Sequence, residues 1–137
     1  MTDTLKSQLK QAATDQLKYP YPLGAETVYA SAVLTKKGNI YASAQYFSDT
    51  YSLTLHAEQA TLAHAAAHGE SEIVAIAITS TEKSEGLTNP CHMCKQLLYE
   101  SSRRSKIPMT VILFNQNGKE EIVELEKMMS YPWPANS

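Results

Sequence analysis

Residues 73–78 read Ile-Val-Ala-Ile-Ala-Ile, a continuous apolar run without a charged side chain. Such a run is typical of a β-strand that is buried on both faces, in a sheet with helices above and below it. Two segments with reactive side chains flank this strand along the chain. They are His56-Ala57-Glu58 before it and Pro90-Cys91-His92-Met93-Cys94 after it. Together these segments indicate an α/β fold with a chemical site beside its central strand.

Apolar periodicity and turn residues predict the other elements. The expected order is α-β-β-α-β-α-β-β-α. The two segments would begin the helices on either side of the central strand, so their N-termini are expected to meet at one edge of the sheet. The predicted helices are Thr4–Lys18, Leu53–His68, a helix that begins at the cysteines and a short helix over Glu124–Met129; the predicted strands are Thr27–Thr35, Ile40–Gln45, Ile73–Ile78, Met109–Phe114 and a short one near Glu121–Val123.

The length and composition of the chain fit one globular domain over residues 1–137. No apolar run is long enough to span a bilayer, so no membrane partner is expected. The only two cysteines, Cys91 and Cys94, both lie in the second segment, which favours a reducing, cytoplasmic compartment. The net charge of −2 gives no broad basic surface, and we expect the basic stretch 101–106 to be a solvated helix end. Nucleic acid is therefore not the expected partner.

His56, Cys91 and Cys94 are three potential zinc ligands, and Glu58 is a carboxylate that the metal does not need. Catalytic zinc keeps three protein ligands and leaves its fourth position open for water. The metal lowers the pKa of that water to about 7. A carboxylate near the water can then take its proton and pass it on. The sequence therefore predicts one catalytic zinc per chain, with Glu58 as the catalytic acid and base.

Each half of this set has another interpretation. A lone C-x-x-C is equally a redox pair or half of a structural zinc site. A structural site would need a fourth ligand, and His64 and His68 are the obvious candidates. They lie two and three turns beyond His56 at about 1.5 Å per residue, too far to complete its tetrahedron. We therefore expect both to be helix-surface or subunit-contact residues, and we expect His92 to be a pocket wall.

The order H-x-E…P-C-x-x-C is similar to the signature of zinc deaminases. The hairpin Ala30–Leu34 and Gly38–Tyr41, the strand Ile73–Ala77 and the stretch Lys95–Leu98 extend this likeness over most of the chain. The chain thus resembles the cytidine deaminase superfamily, and more closely its small homotetrameric nucleoside deaminases. The resemblance implies a three-layer α/β/α fold with a mixed five-stranded sheet. It also implies hydrolytic deamination of an aminopyrimidine, in which zinc-bound hydroxide attacks and ammonia leaves.

The resemblance also suggests how a substrate is bound. It implies that the backbone of Ala57 receives the pyrimidine carbonyl and that the carbonyl of Pro90 meets the leaving amine. Either Trp133 and Tyr131 anchor the C-terminal tail or, as the resemblance implies, a C-terminal aromatic residue, Trp133 here, would close over the base bound by a neighbouring subunit. That role for Trp133 motivates a homo-oligomer, with a tetramer favoured over a dimer.

One departure from the family pattern concerns the sugar. The family's cytidine enzymes usually carry Asn-x-Glu on the second hairpin strand, where it grips the ribose hydroxyls. This chain has Gln45-Tyr46-Phe47 at that place. Gln45 can replace the Asn as a hydrogen-bonding group, but Phe47 cannot replace the Glu as an acceptor, and Phe47 is equally interpreted as a residue of the core. Losing that acceptor is expected to relax or redirect selectivity for the sugar.

We therefore expect a zinc-dependent hydrolytic deaminase of a cytosine-type nucleoside or nucleoside analogue. The alternatives within the same chemistry are a deaminase of a free or modified nucleobase, or of a nucleoside antibiotic. A nucleic-acid-editing deaminase is disfavoured because the chain is acidic and its loops are short. Glu58 argues against a zinc-binding module without catalysis, and metal ligation by the cysteines would oppose a redox function.

Overall fold

A computed structural model describes residues 1–83 and 85–135, and a sheet lies at the centre of this part of the chain. Its five strands are ordered β2-β1-β3-β4-β5. β3 and β4 run parallel, and the other neighbouring pairs are antiparallel. The expected mixed five-stranded sheet with a central apolar strand is thus confirmed. The strands are β1 Tyr29–Thr35, β2 Ile40–Ala44, β3 Ile73–Ser80, β4 Thr110–Phe114 and β5 Glu120–Glu124.

Three α-helices in the described part of the chain cover the two faces of this sheet. They are α1 Asp3–Gln16, α2 Ala57–Ala67 and α3 His92–Ser105. On one face, buried Leu9 of α1 lies in one apolar cluster with Ala77 of β3. On the other face, Leu98 of α3 lies in a second cluster with Ile76 and Ile78 of β3. The side chains of β3 are therefore buried on both sides, which gives the three-layer α/β/α arrangement.

The helix predicted to begin at Leu53 begins at Ala57, so that prediction was wrong at its N-terminal end. Leu55 instead pairs with Tyr46 in an isolated antiparallel bridge, in which both N–H···O bonds, 2.9 and 2.8 Å long, are formed. This long-range pairing holds the backbone before His56 extended, whereas the local sequence favours a helix. The predicted helix Glu124–Met129 is likewise a 3-10 turn, Leu125–Met128.

A buried carboxylate ties the β1–β2 hairpin to the loop that follows α2. The Glu70 side chain is only 7% exposed. It accepts hydrogen bonds from Thr35 Oγ1 at 2.6 Å, from Asn39 Nδ2 at 2.8 Å and from the hydroxyl of Tyr41. These bonds, that from Thr35 first, hold the pKa of Glu70 below its usual range. The ionised carboxylate therefore stabilises this end of the sheet.

The two histidines of α2 pack against the same hairpin. The ring of His68 stacks on Tyr41 at 4.8 Å between centroids, and the ring of His64 meets Tyr41 edge-on at 5.3 Å. Nδ1 of His64 lies 3.0 Å from the carbonyl oxygen of Ala42. Both side chains thus lie between α2 and the hairpin, with His64 half-buried and His68 exposed, and neither belongs to the group of His56, Cys91 and Cys94.

Candidate active site

The side chains of His56, Cys91 and Cys94 converge at one end of β3. One ligand atom from each residue lies within 4.8 Å of the others. Nδ1 of His56 is 3.4 Å from Sγ of Cys91 and 3.3 Å from Sγ of Cys94. Zinc held tetrahedrally at about 2.3 Å from sulfur and about 2.05 Å from nitrogen would separate such atoms by roughly 3.6 Å. One imidazole and two thiols at these distances fit a zinc ion.

Helix N-termini place all three side chains. His56 is the N-cap of α2 and Cys91 is the N-cap of α3, while Cys94 lies in the first turn of α3. The backbone N–H of His56 donates to Oε1 of Gln59 at 2.7 Å, which fixes the entry into α2. The positive ends of the two helix dipoles meet at this cluster and favour thiolates over thiols. The prediction that the two helices begin beside each other is confirmed.

Glu58 lies in the first turn of α2 and is 6% exposed. Burial raises the pKa of its carboxyl, and a hydrogen bond with Cys94 acts in the opposite direction. Burial, and next the charge of Glu58, likewise raise the pKa of the Cys94 thiol. A coordinated divalent cation reverses this effect, because it deprotonates a thiol that binds it. The crowding of acidic groups around His56 is therefore a second feature that fits a cation site.

These groups open into a cavity of about 700 Å³, which is large enough for a nucleoside-sized molecule. Its wall includes six residues of the sequence prediction: Gln45, Phe47, His56, Ala57, Glu58 and Cys91. Phe47 is 36% exposed, and its ring meets Tyr51 edge-on at 5.6 Å. The remaining residues of the wall are Pro22, Ala25, Glu26, Thr27, Tyr29, Thr54, Thr88 and Asn89.

Two sequence features group further residues of this wall, although they do not identify it as a wall. Thr27 and Tyr29 alternate along one strand segment, so their side chains share a face. Thr88 and Asn89 come directly before Pro90 and Cys91, in the loop that leads to α3. Neither signal identifies a pocket without the fold, because the loop must first be brought beside β1.

Hydrogen bonds hold that loop against β1. The hydroxyl of Tyr29 donates to Glu82 at 2.7 Å, and this bond is the main reason why the pKa of Tyr29 rises to about 12. The hydroxyls of Ser80 and Thr88 lie 2.6 Å apart and close the loop on itself. The part of the cavity wall that includes Tyr29 and Thr88 is therefore stabilised by hydrogen bonds.

The other predicted binding residues have different surroundings. Pro90 is buried directly before Cys91. Trp133 is 77% exposed and is not among the residues that line the cavity of its own chain; its carbonyl accepts a 2.7 Å bond from Nε2 of Gln96. His92, expected to be a pocket wall, is exposed and is also not among the lining residues. The roles of Pro90 and Trp133 stay predictions.

Comparisons with known proteins agree with this geometry. The family model of the cytidine and deoxycytidylate deaminase zinc-binding region matches residues 3–111. A protein of Sporosarcina psychrophila named cytidine deaminase is 30% identical over 120 residues, which are 85% of this chain and 80% of that protein.

Solved structures show the same fold. Cytidine deaminase from Burkholderia pseudomallei superposes with a TM-score of 0.83 at 24% identity, over 97% of this chain and 100% of that one. The cytidine deaminase of Mycobacterium tuberculosis gives a TM-score of 0.78 at 19% identity, over 98% of this chain and 100% of that one. With the family match and the His/Cys/Cys group, the chain belongs to the cytidine and deoxycytidylate deaminase family and is a zinc-dependent hydrolytic deaminase.

Proposed function

We propose that the chain deaminates a cytosine-type nucleoside or nucleoside analogue in the cavity beside His56, Cys91 and Cys94. One observation carries the proposal: the zinc-compatible group and the buried carboxylate of Glu58 face the same nucleoside-sized cavity. The 30% identical relative is named cytidine deaminase, which makes cytidine the first substrate to test.

In this proposal His56, Cys91 and Cys94 hold the zinc. Bound zinc supplies a nucleophile at neutral pH, because it lowers the pKa of a water molecule to about 7. With zinc bound, Glu58 would take a proton from that water and give it to the ring nitrogen of the base, and would then pass the second proton of the water to the departing ammonia. The burial that raises the pKa of Glu58 suits it to hold a proton between these steps.

The rest of the pocket binds and orients the base. Ala57 lines the cavity at the N-terminus of α2, where its backbone N–H is available to a carbonyl oxygen of the pyrimidine. Pro90 shapes the turn before Cys91, and we assign its carbonyl to the leaving amine. Trp133 is assigned to the base of a neighbouring subunit, which its exposure permits.

A second candidate substrate is a cytosine compound whose sugar is altered or absent. Phe47 favours it, since an aromatic ring, and not a carboxylate, lines the cavity at this position. A screen for ammonia release from cytosine, cytidine, deoxycytidine and N4-substituted cytidines tests both candidates. Release from none of them would contradict the proposed function, and release from sugar-free compounds alone would favour the second candidate.

We further propose a homo-oligomer, with a tetramer favoured over a dimer. Large apolar side chains at 46–79% exposure crowd the surface beside the cavity mouth, among them Tyr46, Tyr51, Leu53 and Leu55. Exposed apolar patches of this kind commonly mark protein interfaces. Light scattering tests the assembly, and a monomer at micromolar concentration would contradict it.

The cellular setting is a separate proposal. Among residues 1–83 and 85–135, no helix is both long and apolar enough to cross a membrane. The thiols of Cys91 and Cys94 must remain reduced to bind zinc, so we place the enzyme in the reducing cytoplasm.

A further inference from the structure

Gln45 lines the cavity, but both ends of its side-chain amide are engaged within the protein. Its Oε1 accepts a hydrogen bond from the backbone N–H of Tyr29 at 2.8 Å. Its Nε2 donates to the carbonyl oxygen of Thr27 at 2.9 Å. Thr27 and Tyr29 are themselves residues of the cavity wall. The amide thus spans two backbone groups of the wall.

The backbone around Gln45 explains why a side chain is needed there. A hydrogen-bonded antiparallel pair exchanges two N–H···O bonds. The N–H of Gln45 donates to the carbonyl of Tyr29 at 3.2 Å, which is the first of the two. The carbonyl of Gln45 is turned instead toward Tyr21, whose N–H donates to it at 3.0 Å. The side-chain oxygen of Gln45 therefore replaces its own backbone carbonyl as the acceptor for Tyr29.

At Gln45 the backbone therefore changes its pairing partner from Tyr29 to Tyr21, and the residues that follow Gln45 contribute to other parts of the cavity wall. Phe47, two residues on, donates its N–H to the carbonyl of Tyr21 at 2.7 Å. Tyr46 pairs with Leu55, directly before the metal-binding His56. The length of the glutamine side chain is needed here, because its amide group must contact both the N–H of Tyr29 and the carbonyl oxygen of Thr27.

We propose that Gln45 is a positioning residue that holds the part of the wall formed by Thr27 and Tyr29, and that it does not bind the sugar of the substrate. The inference rests on the proposed function of the cavity. In the proposed function this wall binds the substrate in its ground state and in the transition state alike, so its displacement is expected to raise KM and to leave kcat nearly unchanged.

The test is Gln45→Met, which keeps the length of the side chain and removes both hydrogen bonds, with Gln8→Met on the exposed face of α1 as the matched control. Cytidine carries sugar hydroxyls and 1-methylcytosine does not. We expect Gln45→Met to raise KM for both compounds by the same factor, within about twofold, with kcat within about threefold. Gln45→Asn is too short for both bonds and is expected to behave like Gln45→Met.

Three results would overturn the inference. An increase in KM of roughly tenfold or more for cytidine alone would show a direct bond to a sugar hydroxyl. A wild-type KM for cytidine in Gln45→Asn would also indicate a direct bond to a sugar hydroxyl. A lower melting temperature with unchanged KM for both compounds would show a merely structural role.

Amide exchange gives a readout that does not depend on activity. The N–H of Tyr29 is expected to exchange at least about tenfold faster in Gln45→Met than in Gln8→Met, since its acceptor is lost. Unchanged exchange would contradict the inference. If wild-type protein releases ammonia from no compound of the cytosine screen, the proposed function fails, and exchange at Tyr29 alone then decides whether Gln45 holds the wall.

Discussion

Thr61→Val and Ser31→Ala test how α2, the helix that carries Glu58, is fixed to the sheet. Both side chains are fully buried. The hydroxyl of Thr61 donates to the carbonyl oxygen of Ser31 at 3.2 Å, so the hydroxyl of Ser31 is the donor of the 2.7 Å bond between the two side chains. Valine has nearly the shape of threonine, so Thr61→Val removes these bonds with little change of volume.

The magnitudes follow from what each change leaves unpaired. Thr61→Val strands the buried hydroxyl of Ser31 and should cost about 2–3 kcal/mol of unfolding free energy. Ser31→Ala leaves Thr61 its bond to the carbonyl and should cost about 1 kcal/mol. The double variant has no stranded hydroxyl, so we expect it to be about 1 kcal/mol more stable than Thr61→Val alone. The second substitution thus stabilises a protein that the first has destabilised.

The free energy of unfolding is measured by urea unfolding of zinc-loaded wild-type protein, the two single variants and the double variant. All four proteins are compared at the same protein concentration, and unfolding is monitored by far-UV circular dichroism. Thr4→Val, at an exposed position of α1, is the matched control and should lie within about 0.5 kcal/mol of wild type. Additive costs in the double variant would refute the reasoning, because they would mean that the two hydroxyls are not coupled.

Three further predictions concern other parts of the molecule. Glu70→Gln should lower stability at neutral pH. The folded-state pKa of Glu70 lies below the ordinary value of about 4.3, so its contribution to the free energy of unfolding is complete above that value and is lost as the pH falls through the folded-state pKa. The urea midpoints of wild-type protein and Glu70→Gln should therefore converge in acid. A difference between the midpoints that stays constant with pH would contradict this. Glu120→Gln removes ion pairs to Lys10 at 2.6 Å and to Lys6 at 3.3 Å. It should lower the free energy of unfolding by about 0.5–1 kcal/mol at low salt and by less at about 1 M salt, where charges are screened. An equal decrease at both salt concentrations would contradict this. Chelation of zinc should make two thiols per chain reactive toward a thiol reagent, with exposed Cys91 reacting before buried Cys94. Thiol reaction at equal rates before and after chelation would contradict zinc binding by the two cysteines.

Much of the fold could be predicted because its signals are local. The apolar run of β3, the periodicity of α1 and the paired strands of the hairpin each follow from neighbouring residues. The spacing of His56, Cys91 and Cys94 placed the ligand candidates at the starts of two helices, where they lie in the structure.

What could not be predicted depends on contacts between distant segments. The bridge from Tyr46 to Leu55 delays the start of α2, although the residues after Leu53 favour a helix. The hydrogen bonds of the Gln45 amide to the backbone of Thr27 and Tyr29 could not be predicted either, because backbone groups carry no side-chain signal. Glu70 is a charged residue that becomes buried only because Thr35, Asn39 and Tyr41 converge on it. A sequence shows which groups need partners, but not which partners the fold supplies.

The most direct test of the account combines metal content with ammonia release in wild-type protein and in Glu58→Gln. We expect wild-type protein to hold one zinc per chain and to release ammonia from a cytosine compound. Glu58→Gln should keep its zinc, since His56, Cys91 and Cys94 are unchanged, and lose at least about 100-fold in kcat, because a general acid and base contributes on the order of 10²–10⁴. Full activity of the zinc-loaded Glu58→Gln variant, or of zinc-free wild-type protein, would contradict the account.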